Sequence, residues 1–392
     1  MRWWVVLVVV GACRFEHGAL SGDAPPGGTD AADAPADATI DAVATACAVD
    51  VVAAGAHTCV RKIDGTVWCW GKNGQGETSK DPSNSATCTI QSNDFVCVKN
   101  PKQVPLPAAA TAMGAGDQHT CVIANGKTYC FGANDSGQFG NGNTGDSYNP
   151  VEIATRAGAT QIAGSEGSTC SLQNGNTACS GLNNHGEVGN GTTSTFYTPY
   201  SAQGAATKLA MGFRNTCTIV SGAVTCWGDN SNGQVDTTLM PRMTPTNVPN
   251  APLSTDLSVG YGHVCARQAT GSLTCWGRNV EGQLGVGSTS PSEAPALVAA
   301  SNVAQVAAGG YHTCVRLTDG SVQCWGESYG TSPVAIALPG AAVVLASGSY
   351  HSCAVLADGT LWCWGWNAYG QFGNGTSSGT INNTPVKSDV CP

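Results

Sequence analysis

From residue 47 onward, apolar residues come in short runs of four to six, broken by Gly, Asn, Asp, Ser and Pro, and no stretch repeats them at helical spacing. One region shows the order well. Pro295 to Val298, Val303 to Ala308, Thr313 to Leu317 and Ser321 to Trp325 read as four short strands joined by turns. The last two strands form a hairpin flanked by Cys314 and Cys324. The same pairing recurs as Cys59 with Cys69, Cys121 with Cys130, Cys170 with Cys179, Cys217 with Cys226, Cys265 with Cys275 and Cys353 with Cys363. Most first cysteines lie 47 to 49 residues apart. A four-stranded unit with that period is one blade of a propeller, and seven copies predict an all-β, seven-bladed β-propeller over residues 47–392.

The hairpin turns explain the cysteine spacing. Where it is nine, the midpoint is Asn125-Gly126, Asn174-Gly175 or Ser221-Gly222, the composition of two-residue turns with positive φ. Where it is ten, three-residue loops end on Gly65, Gly271, Gly320 or Gly359, which suits a bulged left-handed position. Either loop sets the two cysteines opposite each other at a non-hydrogen-bonded pair, within reach of a disulfide. Cys88 and Cys97 repeat the spacing of nine in an insertion. Of 19 cysteines, Cys13, Cys47 and Cys391 remain. With Cys13 set aside for lipid, Cys47 and Cys391 are left to pair, joining the two ends of the array.

A proline-containing strand occurs seven times, at Pro101, Pro150, Pro199, Pro245, Pro295, Pro333 and Pro385, as befits an edge or a strand start. Read as the opening strand of each unit, it leaves Thr384-Pro385-Val386 without a following repeat and the segment Val49 to Gly55 without a preceding strand. The expectation is that N- and C-terminal segments close one blade together.

Residues 1–13 are expected to be a lipoprotein-type signal segment: Arg2, an apolar run from Trp3 to Val10, then Gly11-Ala12-Cys13. Residues 14–46 carry six acidic residues against one basic and are expected to be a disordered Ala/Asp/Pro tether. The net charge is −9, so the remainder is only mildly acidic, and no basic run is present to neutralise phosphates. Nucleic acid is not an expected partner. An exported, lipid-anchored monomer is the expected state.

The pattern Gly-x-x-His-Thr-Cys, then Gly-x-Val-x-Cys-Trp-Gly-x-Asn, then Gly-Gln-x-Gly-x-Gly resembles the repeat of the regulator of chromosome condensation family, with good copies at Gly260 to Gly287 and Gly348 to Gly375. The resemblance implies a seven-bladed propeller. Nuclear members regulate a small GTPase by nucleotide exchange, and exported members include a bacterial β-lactamase inhibitor. This chain departs from the nuclear pattern in its paired cysteines, in Cys179-Ser180-Gly181 without tryptophan, in a shortening after Gly326, and in the insertion from Thr78 to Asn100.

His57, His119, His263, His312 and His351 precede a cysteine by two, a spacing that invites zinc. Their recurrence around a ring, with Ser168 and Asn215 in the other two repeats, reads instead as a hydrogen bond that a small polar residue partly supplies. No metal, cofactor or catalytic constellation is expected, and no enzymatic activity. What varies is the loop before the histidine position, which supplies Asp117, Phe213, Arg214, Tyr261, Tyr311 and Tyr350. Such side chains are enriched at binding interfaces, and equivalent propeller loops share a face; ordinary packing on neighbours is the alternative. The expected function is a scaffold binding a macromolecule, foremost a protein, with nucleotide exchange as the competing reading.

Overall fold

The computed structural model describes residues 47–90 and 93–391. Cys13 and the signal and tether readings lie outside these residues. Seven antiparallel sheets follow one another along the chain, six with four strands and the first with five. Each innermost strand packs beside the next, and that of blade 7 (Ala342–Ser347) meets that of blade 1 (Ala48–Ala54), so the sheets form a closed seven-bladed propeller. In blade 5 the strands run Asp256–Val259, His263–Arg267, Leu273–Gly277 and Ser292–Leu297 from the inside outward.

The proline strand is the fourth of its own repeat, outermost in six blades and flanked in blade 1 by Ala86–Ile90, which pairs with it only up to Cys97, and it does not open the next repeat. Pro385 lies in Ser378–Lys387, which pairs with Leu361–Asn367 of blade 7, Cys363 facing Val386. Blade 1 likewise completes itself, Val67–Lys72 pairing with Asn93–Gln103. The expected shared blade is therefore absent. After each Cys-Trp-Gly strand the glycine-rich loop brings the chain back along that strand's free edge, and proline then tolerates the outer position because no further strand needs its missing N–H. Closure rests instead on the Cys47–Cys391 bond, with Cα atoms 5.7 Å apart, and on a core joining Val51, Val60 and Trp70 to Val355, Leu361, Phe372 and Val390.

The seven hairpin cystines form as the spacing predicts. They join Cys59 to Cys69, Cys121 to Cys130, Cys170 to Cys179, Cys217 to Cys226, Cys265 to Cys275, Cys314 to Cys324 and Cys353 to Cys363. In each pair the two residues lie directly opposite in register, with Cα atoms 4.1 Å apart. Such close approach belongs to a non-hydrogen-bonded pair. The bond between Cys88 and Cys97 differs: Cys88 faces Phe95, and the bond runs on the diagonal with a Cα separation of 5.9 Å. Hairpin cystines also present an apolar surface to the neighbouring blade. Cys265 and Cys275, for instance, pack with Val303, Val306 and Trp325 of blade 6.

A polar latch repeats between blades. The carbonyl of the Gln or Glu in the glycine-rich loop accepts from the tryptophan Nε1 of the next blade: Trp70 to Gln371 at 2.7 Å, Trp227 to Glu187 at 2.8 Å, Trp276 to Gln234 at 2.9 Å and Trp325 to Gln283 at 2.8 Å. Thr58, Thr216 and Thr313 donate to the same carbonyls, and Thr120 to that of Glu77. Three of these hydroxyls then accept from histidine Nε2 of the preceding blade: His57 to Thr120 at 2.8 Å, His263 to Thr313 at 2.9 Å and His351 to Thr58 at 2.9 Å. A hydroxyl has one proton, so where it goes to the carbonyl the imidazole must be the Nε2–H donor. The glycine three residues before His119, His263, His312 and His351 is equally constrained, since a Cβ on Gly260 would sit 2.2 Å from His263 Cε1; before His57 the position is Ala54.

Ser168 and Asn215 do not substitute for histidine as expected. The Ser168 hydroxyl bonds to Ser165 in its own blade at 2.6 Å, and the Asn215 side-chain amide nitrogen is buried without a partner. Where Ser180 replaces tryptophan, the fully buried Arg156 enters the space. Its guanidinium donates to the carbonyls of Phe139, Thr169 and Ala178 and to the hydroxyls of Ser171 and Ser180. Burial without a carboxylate among these partners pulls its pKa down to about 9.

The closure disulfide bridges 344 residues of sequence, against nine or ten for a hairpin cystine. Chain entropy gives at most about 6 kcal/mol for the former and about 3 kcal/mol for the latter. Replacing Cys47 and Cys391 together by Ser is expected to lower the denaturant midpoint more than replacing Cys88 and Cys97 together. Equal midpoints in guanidinium titrations of the two variants would remove the closure argument.

Candidate functional site

The loops joining first and second strands emerge at one mouth of the central channel, because every inner strand runs in the same direction. Short loops force these connections into mutual contact: Asp117 N–H donates to the Ser165 carbonyl, Tyr261 to Gly310, and Ser349 to Gly55. The channel behind them is narrow, about 270 Å³, and lined largely by Gly, Ala and Ser.

All six loop residues singled out from the sequence lie at this mouth. Tyr261 crosses it. Its hydroxyl donates to Asp117, 2.9 Å from Oδ2 and 3.1 Å from Oδ1, and lies 2.6 Å from Ser349 Oγ, tying blade 5 to blades 2 and 7. Burial, with the negative charge of Glu166 in support and the Tyr261 hydrogen bond opposing, pushes the Asp117 carboxyl up to about 6. Burial, and next the charge of Asp117, push the Tyr261 phenol well above its ordinary range. Tyr261 and Asp117 thus serve to brace the mouth.

Phe213, Tyr261, Tyr311 and Tyr350 continue as a ladder of rings, with successive centroids 4.6, 5.5 and 5.1 Å apart. The ladder extends beyond the residues legible as variable loop positions. Tyr350 meets Trp366 at 5.7 Å, Trp366 meets Tyr369 at 5.4 Å, and Tyr369 meets Phe95 of the insertion at 5.4 Å. Trp366 and Tyr369 occupy the variable positions of Trp-Gly-x-Asn-x-x-Gly, a signal open to inspection; Phe95 has no repeat register. The arc runs from blade 4 through blade 7 to blade 1. Tyr350 and Phe95 are each 37% exposed, and the rings between are half-buried.

Two guanidiniums cap the arc. Arg214 lies 4.7 Å from the Phe213 ring centre and donates from Nε to Glu166 at 3.2 Å, while Arg278 lies 5.0 Å from the Tyr311 ring and is paired with Glu281. Opposite the arc, blades 2 and 3 present Asp117, Gln118 and Glu166. One half of the mouth is aromatic, with Arg278 neutralised by Glu281; the other is polar and acidic.

The repeated histidines are occupied structurally. Burial holds His57, His263 and His351 down at about 3 and His119 and His312 at about 4, so all five are neutral imidazoles at neutral pH. The segment Asp229 to Gly233 is an Asx turn, Asp229 accepting from the Ser231 backbone and hydroxyl and from Gln234.

Residues 48–77, 255–283, 303–330 and 343–371 match one model of the regulator of chromosome condensation (RCC1) repeat, and residues 125–172, 270–316 and 358–391 match a second. Among curated proteins, none matches the chain in sequence. Human WBSCR16 superposes with a TM-score of 0.70 at 20% identity, over 82% of this chain and 94% of that one. Yeast Prp20, in its complex with Kap60, superposes with a TM-score of 0.70 at 18% identity, over 88% and 86%. Prp20p from Saccharomyces cerevisiae, studied for its binding to Gsp1p and histones, gives 0.70 at 19% identity over 88% and 87%. At these identities the likeness is one of fold.

The raised Asp117 pKa has a stability consequence with a definite sign. The folded state keeps its proton up to about 6, whereas an ordinary aspartate loses it near 3.8, so this contribution is present at low pH and lost as pH rises through 6. The buried histidines act oppositely, losing stability as pH falls below 6.5, but they are common to wild type and Asp117→Asn. The melting temperature of wild type relative to Asp117→Asn should therefore fall between about pH 4 and pH 6.5 and level off above. A pH-independent difference in thermal melts would contradict it.

Proposed function

This chain belongs to the regulator of chromosome condensation repeat family, and we propose that it is an exported scaffold, anchored by lipid on Cys13, whose aromatic arc binds a protein partner. The observation that carries this reading is the continuous ladder from Phe213 to Phe95, flanked by Arg214 and Arg278. Aromatic and arginine side chains clustered at a rigid rim give a large contact area at little entropic cost. The braced mouth supplies that rigidity, and yeast Prp20p offers a precedent for a protein-binding propeller of this fold.

Nine disulfides among the described residues support folding in an oxidising compartment. They weigh against nucleotide exchange on a GTPase, whose partner and nucleotide are cytosolic. No enzymatic role is proposed.

Binding is tested at two adjacent rungs, the exposed Tyr350 and the half-buried Trp366. Tyr350→Ala and Trp366→Ala should each weaken a partner captured by the wild-type protein by about 2 kcal/mol, with melting temperatures unchanged, while Gln118→Ala on the polar side should not. Equal losses for all three variants would sink the arc as the contact surface. Anchoring is tested separately: labelled palmitate should enter the wild-type chain and not Cys13→Ser. Full-length protein found in the cytoplasm with free thiols would refute export.

A further inference from the structure

Twice at the mouth a guanidinium rests on an aromatic face and a carboxylate holds it there. Arg278, directly after the Cys-Trp-Gly of blade 5, lies 5.0 Å from the ring centre of Tyr311 in blade 6. Glu281 takes both of its terminal nitrogens, Nη1 on Oε2 and Nη2 on Oε1 at 2.6 Å. At the blade 4 end of the arc, Arg214 lies 4.7 Å from the Phe213 ring and donates to Glu166 at 3.2 Å. Both combine a cation–π contact with an ion pair.

One blade further on, the ring and the carboxylate are present and the cation is missing. Tyr350 holds in blade 7 the position that Tyr311 holds in blade 6, directly before the histidine. The residue after Cys-Trp-Gly in blade 6 is Glu327, whose N–H donates to the Tyr311 carbonyl as that of Arg278 donates to the Gly262 carbonyl. Where blade 5 offers its neighbour a guanidinium, blade 6 therefore offers a carboxylate. Among the described residues Glu327 forms no ion pair. Partial burial raises its pKa, and the charge of Glu281 adds to this more than the charge of Arg278 opposes it. Two carboxylates against one guanidinium leave an excess of negative charge beside Tyr350.

The same place is open to solvent. Blade 6 joins Val322–Gly326 to Gly330–Ile336 through Glu327, Ser328 and Tyr329 alone, whereas blade 5 spends residues 278–291 between the corresponding strands. Blade 6 thus has no counterpart of the loop that carries Glu281, and Tyr350 is 37% exposed while Tyr311 is half-buried. Trp366 stands against Tyr350 with ring planes at 66°, so that the two form a corner. Among the described residues no cation lies over either ring.

We infer that this corner, with Glu327 beside it, receives an arginine side chain of the protein partner. This rests on the arc as the binding surface and adds what the partner must bring: a guanidinium stacked in the corner and paired with Glu327, as Arg278 is paired with Glu281 over Tyr311. A planar guanidinium can stack on a ring and bond a carboxylate through its edge at once, which an ammonium cannot.

The probe is Nα-acetyl-arginine methylamide, titrated into the full chain and followed by the Trp366 indole resonance. Saturable shifts are expected, with the uncharged citrulline analogue about tenfold weaker and the lysine analogue weaker than arginine. Glu327→Gln should weaken the arginine probe about tenfold at an unchanged melting temperature. Glu327→Arg, which supplies the guanidinium from the chain itself, should abolish binding. Absence of saturable binding, equal binding of the citrulline or lysine analogue, or undiminished binding by Glu327→Gln overturns the assignment. A partner captured by wild type separates this from the arc: loss with Tyr350→Ala but not with Glu327→Gln overturns the arginine site and leaves the arc standing, whereas no loss with either overturns both.

Discussion

At four of the seven blade interfaces, a single buried backbone carbonyl accepts a hydrogen bond from the next blade's tryptophan. Burying a peptide carbonyl is tolerable only when it is bonded, so the glycine-rich loop and the neighbouring strand must meet at a fixed distance. The threonine that shares the carbonyl fixes the histidine tautomer, and the histidine ring leaves no room for a Cβ on the glycine beneath it. Four recurring residue types thus follow from one polar group.

The departures from this rule account for the irregular parts of the ring. Where tryptophan is replaced by Ser180, a charged guanidinium is buried and satisfies five acceptors. Where the loop after Gly326 is shortened, Tyr329 packs against Trp364 in its place. Where Asn215 and Val264 replace histidine and threonine, between blades 4 and 5, the Gln234 carbonyl keeps its bond from Trp276 while the Asn215 amide nitrogen is buried without a partner.

The cystines complement the latch. With only 11% charged residues and strands five to seven residues long in most inner positions, each blade has little surface with which to hold its neighbour. A cystine across the middle of each hairpin restrains the unfolded chain and gives the adjacent blade a dense apolar surface to pack upon; Cys59 and Cys69 do so for Phe131 of blade 2, and Cys265 and Cys275 for Trp325 of blade 6. The resulting rigidity reaches the channel mouth, where Tyr261 is held by Asp117 and Ser349 from two other blades.

By itself, the sequence determined the strands, the turn types, the hairpin cystines and the number of blades, because each follows from local spacing and turn chemistry. It also marked Asp117, Phe213, Arg214, Tyr261, Tyr311 and Tyr350 as variable positions on one face, since a repeat places equivalent loops together. The phase of the proline strand was decided only by tertiary structure: an extended segment between two hairpins can pair with either, and the free edge it meets first settles the matter. The same holds for Trp366, Tyr369 and Phe95, which join the arc from a strand end, a loop and an insertion. The division of the mouth residues into a brace and a contact arc, and the lost inter-blade bond at Asn215 and Val264, depend on distances between side chains of different blades. Local sequence carries no measure of those distances.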